Sequence, residues 1–235
     1  MDIKTLFIIG GQRSGTTFLS NLLKQHPKIQ FLEPLFPEPK FFVKNPDASK
    51  KEFLLKFNDD NSKEVFAEKS TSYFEHELAL QKIKQEFPKS QIIFLIRNPV
   101  DRAISNYFFT KQHGLETRTL EEAFMHKTPP PTLKTDLSVN PFDYIKRSKY
   151  SIIIPKLQSI FGSQLLLLSF DELVKHPQKS IAKVLSRLYL EVGNIPFNLN
   201  KNESIKDEIV SNEIKEYLNL YFKPEMEFLS KTQLI

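Results

Sequence analysis

Gly10, four residues, Gly15, then Thr16 and Thr17: this spacing lies in the run FIIGGQRSGTTFL, from Phe7 to Leu19. An apolar run feeds a glycine-rich turn, and the turn opens a helix-like continuation. Backbone N–H groups in such a turn converge on one point, and the helix dipole adds a positive end. The chemistry on offer is anion binding. The nucleotide-binding loop reads G-x-x-x-x-G-K-[ST], and its lysine reaches the β- and γ-phosphates. Here Thr16 takes the lysine's place, and a cation, Arg13, sits inside the loop instead. Gly11, Gln12, Arg13, Ser14, Gly15, Thr16 and Thr17 are the candidate phosphate-binding residues.

Losing that lysine argues against ATP or GTP hydrolysis. So does the lack of an Asp closing an apolar strand, the usual Mg²⁺ holder. QIIFLI ends in Arg97, and QLLLLSFD carries Asp171 beyond Phe170. The segment RNPVDRAISNYF supplies a second grip. Arginine at a strand end can hold a phosphate through two parallel hydrogen bonds. Ser105 follows about two turns into a helix started by Pro99, roughly 9–10 Å of rise, so one phosphate can touch Arg97 and Ser105. Asp101 suits the first turn of that helix, and Arg102 is expected in a structural ion pair.

These residues need strands and helices to position them. Apolar runs at 5–10, 64–69, 91–97 and 164–170 read as strands, and their continuous character suits a parallel sheet covered on both faces. Helical patterns fall at 16–25, 75–87, 99–112, 143–161, 178–190 and 207–222. Proline-rich stretches at 33–42 and 127–141 read as loops of the kind that rim a site. The alternation predicts an α/β protein: a P-loop-like three-layer fold, with a central parallel sheet flanked by helices. At 235 residues one domain, 1–235, is expected.

Composition narrows the function classes. Hydrophobic content of 40% and charged content of 26% are those of a globular chain. With no Cys there is neither a disulfide framework nor a thiolate metal site, and a cytoplasmic location is expected. No apolar run approaches the ~20 residues of a membrane span. A net charge of +5 is modest for 33 basic and 28 acidic residues, which fits a slightly basic surface rather than a nucleic-acid groove.

Taken together, GGQRSGTTFL and IFLIRNPVDRAISNYF resemble the sulfotransferases that use 3′-phosphoadenosine 5′-phosphosulfate (PAPS) and release adenosine 3′,5′-bisphosphate (PAP). LLKQHP, PEPKFF (37–42), FAEKSTSYF (66–74) and SFDELVKHP (169–177) extend the likeness, in family order, over roughly residues 4–190. They are closest to the heparan-type, glycan-modifying branch. The resemblance implies that the first loop holds the 5′-phosphosulfate and that Arg97 and Ser105 hold the 3′-phosphate. Such a donor has no γ-phosphate and needs no metal, so the absent lysine would have nothing to do. Carried over by position, Glu38 is the catalytic base, Lys40 an acceptor-binding cation, and Lys69 a lysine at the reaction centre beside Arg13.

The chain also departs from the family. Arg13 stands where lysine is common, Thr71 follows the strand where the small-molecule branch has histidine, and the heparan-type disulfide is impossible. His26 and His113 read as helix C-terminal residues. The basic loop that covers the adenosine has no clear match; Lys201 and Lys206 are candidates by position only. The expected reaction is in-line transfer of a sulfuryl group to an acceptor hydroxyl on a glycan, lipid or secondary metabolite, with an amine as the alternative acceptor. The competing classes are a P-loop kinase or NTPase, which would need a metal, and a non-catalytic phosphonucleotide-binding protein, which would not need Glu38.

Overall fold

The computed structural model describes residues 3–125, 127–133, 137–193, 195–197 and 209–232. His126, Lys201 and Lys206 lie outside the described residues. The chain divides into two compact units, one of residues 1–96 with 155–202 and one of residues 97–154 with 203–235.

The first unit holds the sheet. Strands β1 (Lys4–Gly10), β2 (Ile29–Phe31), β3 (Val65–Lys69), β4 (Gln91–Ile96) and β5 (Leu165–Ser169) run parallel in the order β2-β3-β1-β4-β5. Successive residues of a strand face opposite sides, and β1 shows what covers each. Leu6 and Ile8 join one buried cluster with Leu19, Leu22 and Leu23 of α1 (Thr16–Lys24) and with Leu173 of α8 (Phe170–Lys175); Ile181, Val184 and Leu185 of α9 (Pro177–Arg187) complete it. Phe7 points the other way. Its ring centroid lies 5.4 Å from Phe53 in α3 (Lys50–Leu54), 6.4 Å from Phe42 in α2 (Phe41–Lys44) and 5.2 Å from Phe87, which ends α4 (Glu77–Glu86). Helix, sheet and helix make the three layers expected from the sequence.

The second unit is helical. Val100, Ala103, Ile104, Tyr107 and Phe108 of α5 (Pro99–Gln112) pack with Leu120 and Phe124 of α6 (Leu120–Phe124) and with Ile214 and Leu218 of α10 (Asn212–Tyr221). α7 (Tyr150–Phe161) runs across the division between the units, and α11 (Lys223–Lys231) ends the described chain. Among the described residues no helix is long and apolar enough to cross a membrane.

Several expected boundaries move. The helix expected over 143–161 shrinks to α7, preceded by a 3-10 turn at Lys146–Ser148; Pro155 is accommodated inside α7. β5 stops at Ser169 because that side chain turns to cap α8, accepting from Glu172 N–H. Of the helix expected over 207–222, the described part begins after Ser211, whose side chain accepts from Ile214 N–H. β2, three residues long, is too short to leave a pattern in the sequence.

Candidate active site

The glycine loop joins β1 to α1. Arg13 has φ 67° and Gly15 φ 86°, so the chain turns twice through the left-handed region between strand and helix. Ser14 N–H donates to Gly11 C=O at 3.1 Å and closes the turn. α1 has no side-chain cap and no acidic residue in its first turn, which leaves its positive end for a ligand. Ser14 is fully buried, and its Oγ has no hydrogen-bond partner among the described residues. An orphaned hydroxyl at that depth is costly; a phosphate or sulfate oxygen would satisfy it. Thr16 is buried beside it, while Gln12, Arg13 and Thr17 are half-buried.

Gly15 is confined on two counts. Its φ disfavours any side chain, and a Cβ there would fall 2.4 Å from the Phe170 ring. Backbone strain at such a position is worth ~1–3 kcal/mol. Gly15→Ala should therefore weaken PAP binding by about fivefold or more, measured by calorimetry. Wild-type affinity in that variant would show that the loop is not the phosphate grip.

The carboxyl end of β3 lies next to the strand that feeds this loop. Lys69 pairs in register with Ile8, and Ser70 N–H extends the ladder to Ile8 C=O at 3.0 Å. α1 leaves β1 toward one face of the sheet, whereas the chain after β3 leads to α4, whose end packs on Phe7 at the other face. The crevice between those two strand ends is where open α/β sheets bind their ligands.

Glu38 and Lys69 meet there. Lys69 Nζ lies 3.0 Å from Glu38 Oε1, with side chains only 4% and 13% exposed. Thr71 adds its N–H, at 2.8 Å to Glu38 Oε2, and its hydroxyl at 2.9–3.0 Å to both oxygens. Thr71, in the place where the small-molecule branch has histidine, thus orients the carboxylate. A carboxylate has about four lone-pair sites, so one remains for an incoming O–H or N–H. The sequence leaves Lys69 free to pair with Glu68 or to lie along the surface; the fold gives it to Glu38.

The segment carrying Glu38 and Lys40 is held from behind. Lys40 takes φ 52° at the start of α2. Phe41 and Phe42 are buried against Phe53, with Phe42 also against Phe7 and Phe87. Burying each ring contributes ~1.5–3 kcal/mol, enough to anchor a loop. Lys40 N–H donates to Ser70 Oγ at 2.8 Å, Phe41 N–H to Glu68 Oε1 at 3.0 Å and Phe42 N–H to Tyr73 Oη at 3.0 Å. Burial pushes the Glu68 carboxyl up to about 7, and the neighbouring negative charge of Glu38 adds to the rise. Glu68, Ser70, Thr71 and Tyr73 have no role in the sequence reading of the site. Their one signal was an acid inside an otherwise apolar strand.

Arg97 and Ser105 belong to the second unit. Arg97 follows the last residue of β4, and its N–H donates to Tyr150 Oη at 3.3 Å. Asn98 caps α5, its Oδ1 accepting from Val100 N–H at 3.0 Å and Asp101 N–H at 3.2 Å. Ser105 lies on that helix at 9% exposure, deeper than a surface serine. Arg102 is fully buried and donates to Ser148 Oγ, to Asn106 Oδ1 and to Tyr144 C=O, a structural role. The structure thus places the loop, Glu38, Lys40 and Lys69 in one unit, with Glu38 and Lys69 in contact, and Arg97 and Ser105 in the other.

The model of the family described as the sulfotransferase domain matches residues 4–232. A human bifunctional heparan sulfate N-deacetylase/N-sulfotransferase 1 is 31% identical over 114 residues, covering 46% of this chain and 13% of that protein. The Caenorhabditis briggsae protein of the same name is 28% identical over 211 residues, or 83% of this chain and 23% of that one. The chain therefore spans a small part of the curated relatives it matches. Among solved structures, a sulfotransferase from Alicyclobacillus acidocaldarius superposes with a TM-score of 0.76 at 19% identity, covering 99% of this chain and 96% of the other. A mouse sulfotransferase complexed with PAP superposes with a TM-score of 0.54 at 14% identity, covering 95% and 84%. These two show the same fold. On a family match that spans nearly its whole length, the chain belongs to the sulfotransferase family, whose sulfuryl donor is PAPS.

Proposed function

We propose that this protein transfers a sulfuryl group from PAPS to a hydroxyl of a glycan or related polyol acceptor. The observation that carries the reading is the Glu38–Lys69 contact, 3.0 Å long, at the strand end beside the glycine loop. PAPS supplies the sulfuryl group on a good leaving group. The loop N–H groups with Arg13, Ser14, Thr16 and Thr17 hold its phosphate end, and Arg97 with Ser105 takes the 3′-phosphate. Lys69 and Arg13 face the negative charge that grows on the leaving oxygen; fixed donors aimed at developing charge supply most of the rate in such reactions. Glu38 removes the acceptor's proton, held in one pose by Thr71. Lys40, on the same loop, contacts the acceptor. The chain acts as one catalytic domain, 1–235, in the cytoplasm.

One observation favours a second acceptor chemistry. The curated relatives are named N-sulfotransferases, whose product carries sulfate on nitrogen. Incubating the protein with PAPS and a panel of glycans, some bearing free amines, and locating the sulfate by fragmentation mass spectrometry separates the two. Sulfate on oxygen supports the proposal, and sulfate on nitrogen replaces it with the amine reading. Turnover should continue in excess EDTA, because Thr16 replaces the nucleotide-loop lysine and neither grip offers a carboxylate pair. A strict Mg²⁺ requirement would return the kinase reading to first place.

A further inference from the structure

Glu68 is a fully buried acid that the reaction above does not use. A buried carboxylate is expensive unless it is hydrogen-bonded, and its bonds show what it holds. Phe41 N–H donates directly to Oε1 at 3.0 Å. Ser70 hydroxyl donates to Oε1 at 2.8 Å and accepts Lys40 N–H at 2.8 Å. Tyr73 hydroxyl donates to both oxygens at 2.8–2.9 Å and accepts Phe42 N–H at 3.0 Å. Three consecutive backbone donors thus end, directly or through one hydroxyl, on one carboxylate. These are the N–H groups that the first turn of α2 leaves without helical partners, and no side chain of its own caps it. Lys40, the cap residue at the start of that turn, has a left-handed backbone that a non-glycine residue keeps only when its surroundings hold it.

We infer that Glu68 is the positioning residue for Glu38: with the Ser70 and Tyr73 hydroxyls it fixes the backbone of residues 40–42, and so the reach of Glu38 to Lys69 and Thr71. The catalytic consequence rests on Glu38 being the base; the clamp itself does not. Both hydroxyls point their protons at Glu68 and favour its charged form, but burial opposes that form with the larger effect. The titratable and charged groups around it are Tyr73, which donates to it, Glu38, whose charge opposes its own, and Lys69, which offsets Glu38. With its pKa raised from 4.5 to about 7, the folded protein keeps a proton that the unfolded chain loses in that window. Glu68's contribution to stability therefore falls as pH rises from about 5 to 7 and is lowest above it.

The test uses Tyr73→Phe, Ser70→Ala and Glu68→Gln, read by amide hydrogen exchange, PAP affinity and kcat. Tyr73→Phe should speed exchange of the Phe42 amide by about tenfold or more, and Ser70→Ala that of the Lys40 amide. PAP affinity should stay within about twofold, while kcat falls about tenfold with little change in KM for PAPS. The melting temperature of wild type relative to Glu68→Gln should fall between about pH 5 and 7. Unchanged exchange at both amides overturns the inference, whatever turnover does. Faster exchange with undiminished kcat leaves the backbone clamp standing and overturns the positioning role toward Glu38, while Glu38→Gln tests the base separately. If all three variants lose PAP binding and the cooperative melt together, Glu68 serves the scaffold as a whole and the positioning role is overturned.

Discussion

Glu38→Gln should lower kcat by about two orders of magnitude or more, while PAP affinity should stay within a few-fold. An acceptor hydroxyl attacks well only when its proton is taken as the new bond forms, and a positioned carboxylate contributes ~10²–10⁴ to such a step. The amide keeps the size of the side chain, and its one oxygen still accepts from either Lys69 or the Thr71 N–H, which bond different oxygens of the carboxylate. What it cannot do is carry a proton away. The pairing makes the choice of variant matter: removing the side chain altogether would leave Lys69 as an uncompensated charge in a nearly buried site, a loss of ~3–5 kcal/mol that would confuse stability with chemistry. Steady-state turnover with a fixed acceptor, beside calorimetry with PAP, measures both halves. Near wild-type kcat in the Gln variant would assign the proton to water or to another group.

Arg97→Ala should weaken PAP by about tenfold to a hundredfold and leave AMP almost untouched. Hydrogen bonds to a charged group contribute ~1.5–3 kcal/mol, and a guanidinium can make two in parallel to one phosphate. Each ~1.4 kcal/mol is a decade in affinity. AMP has the 5′-phosphate and lacks the 3′-phosphate, so the difference between the two ligands isolates what Arg97 contributes. The local frame suits the role: Asn98 caps α5, and the Arg97 amide bonds Tyr150, which fixes the backbone from which the side chain extends. Ser105→Ala should show the same selectivity with a smaller loss. Equal weakening of both ligands would remove the 3′-phosphate assignment and weaken the case for PAPS as the donor.

The sequence by itself determined the parts that depend on near neighbours. The glycine loop was legible because strand, turn and helix signals follow one another within a few residues, and the left-handed backbone at Gly15 is what that glycine permits. α5 was legible to the residue, since Pro99 marks its start and Gly114 follows its end. Four of the five strands were legible as apolar runs, and β2 was not, because three residues carry no period.

Only the tertiary structure decided which partners Glu38, Glu68 and Lys69 take. Lys69 and Glu38 are 31 positions apart, and no local pattern says that they pair; the parallel register of β1 and β3 and the anchoring of Phe41 and Phe42 bring them to 3.0 Å. Glu68 and Lys69 sit side by side in sequence, where they read as a natural ion pair. A strand sends neighbouring side chains to opposite faces, so one goes to the Glu38 carboxylate and the other into the interior, to the backbone of residues 40–42.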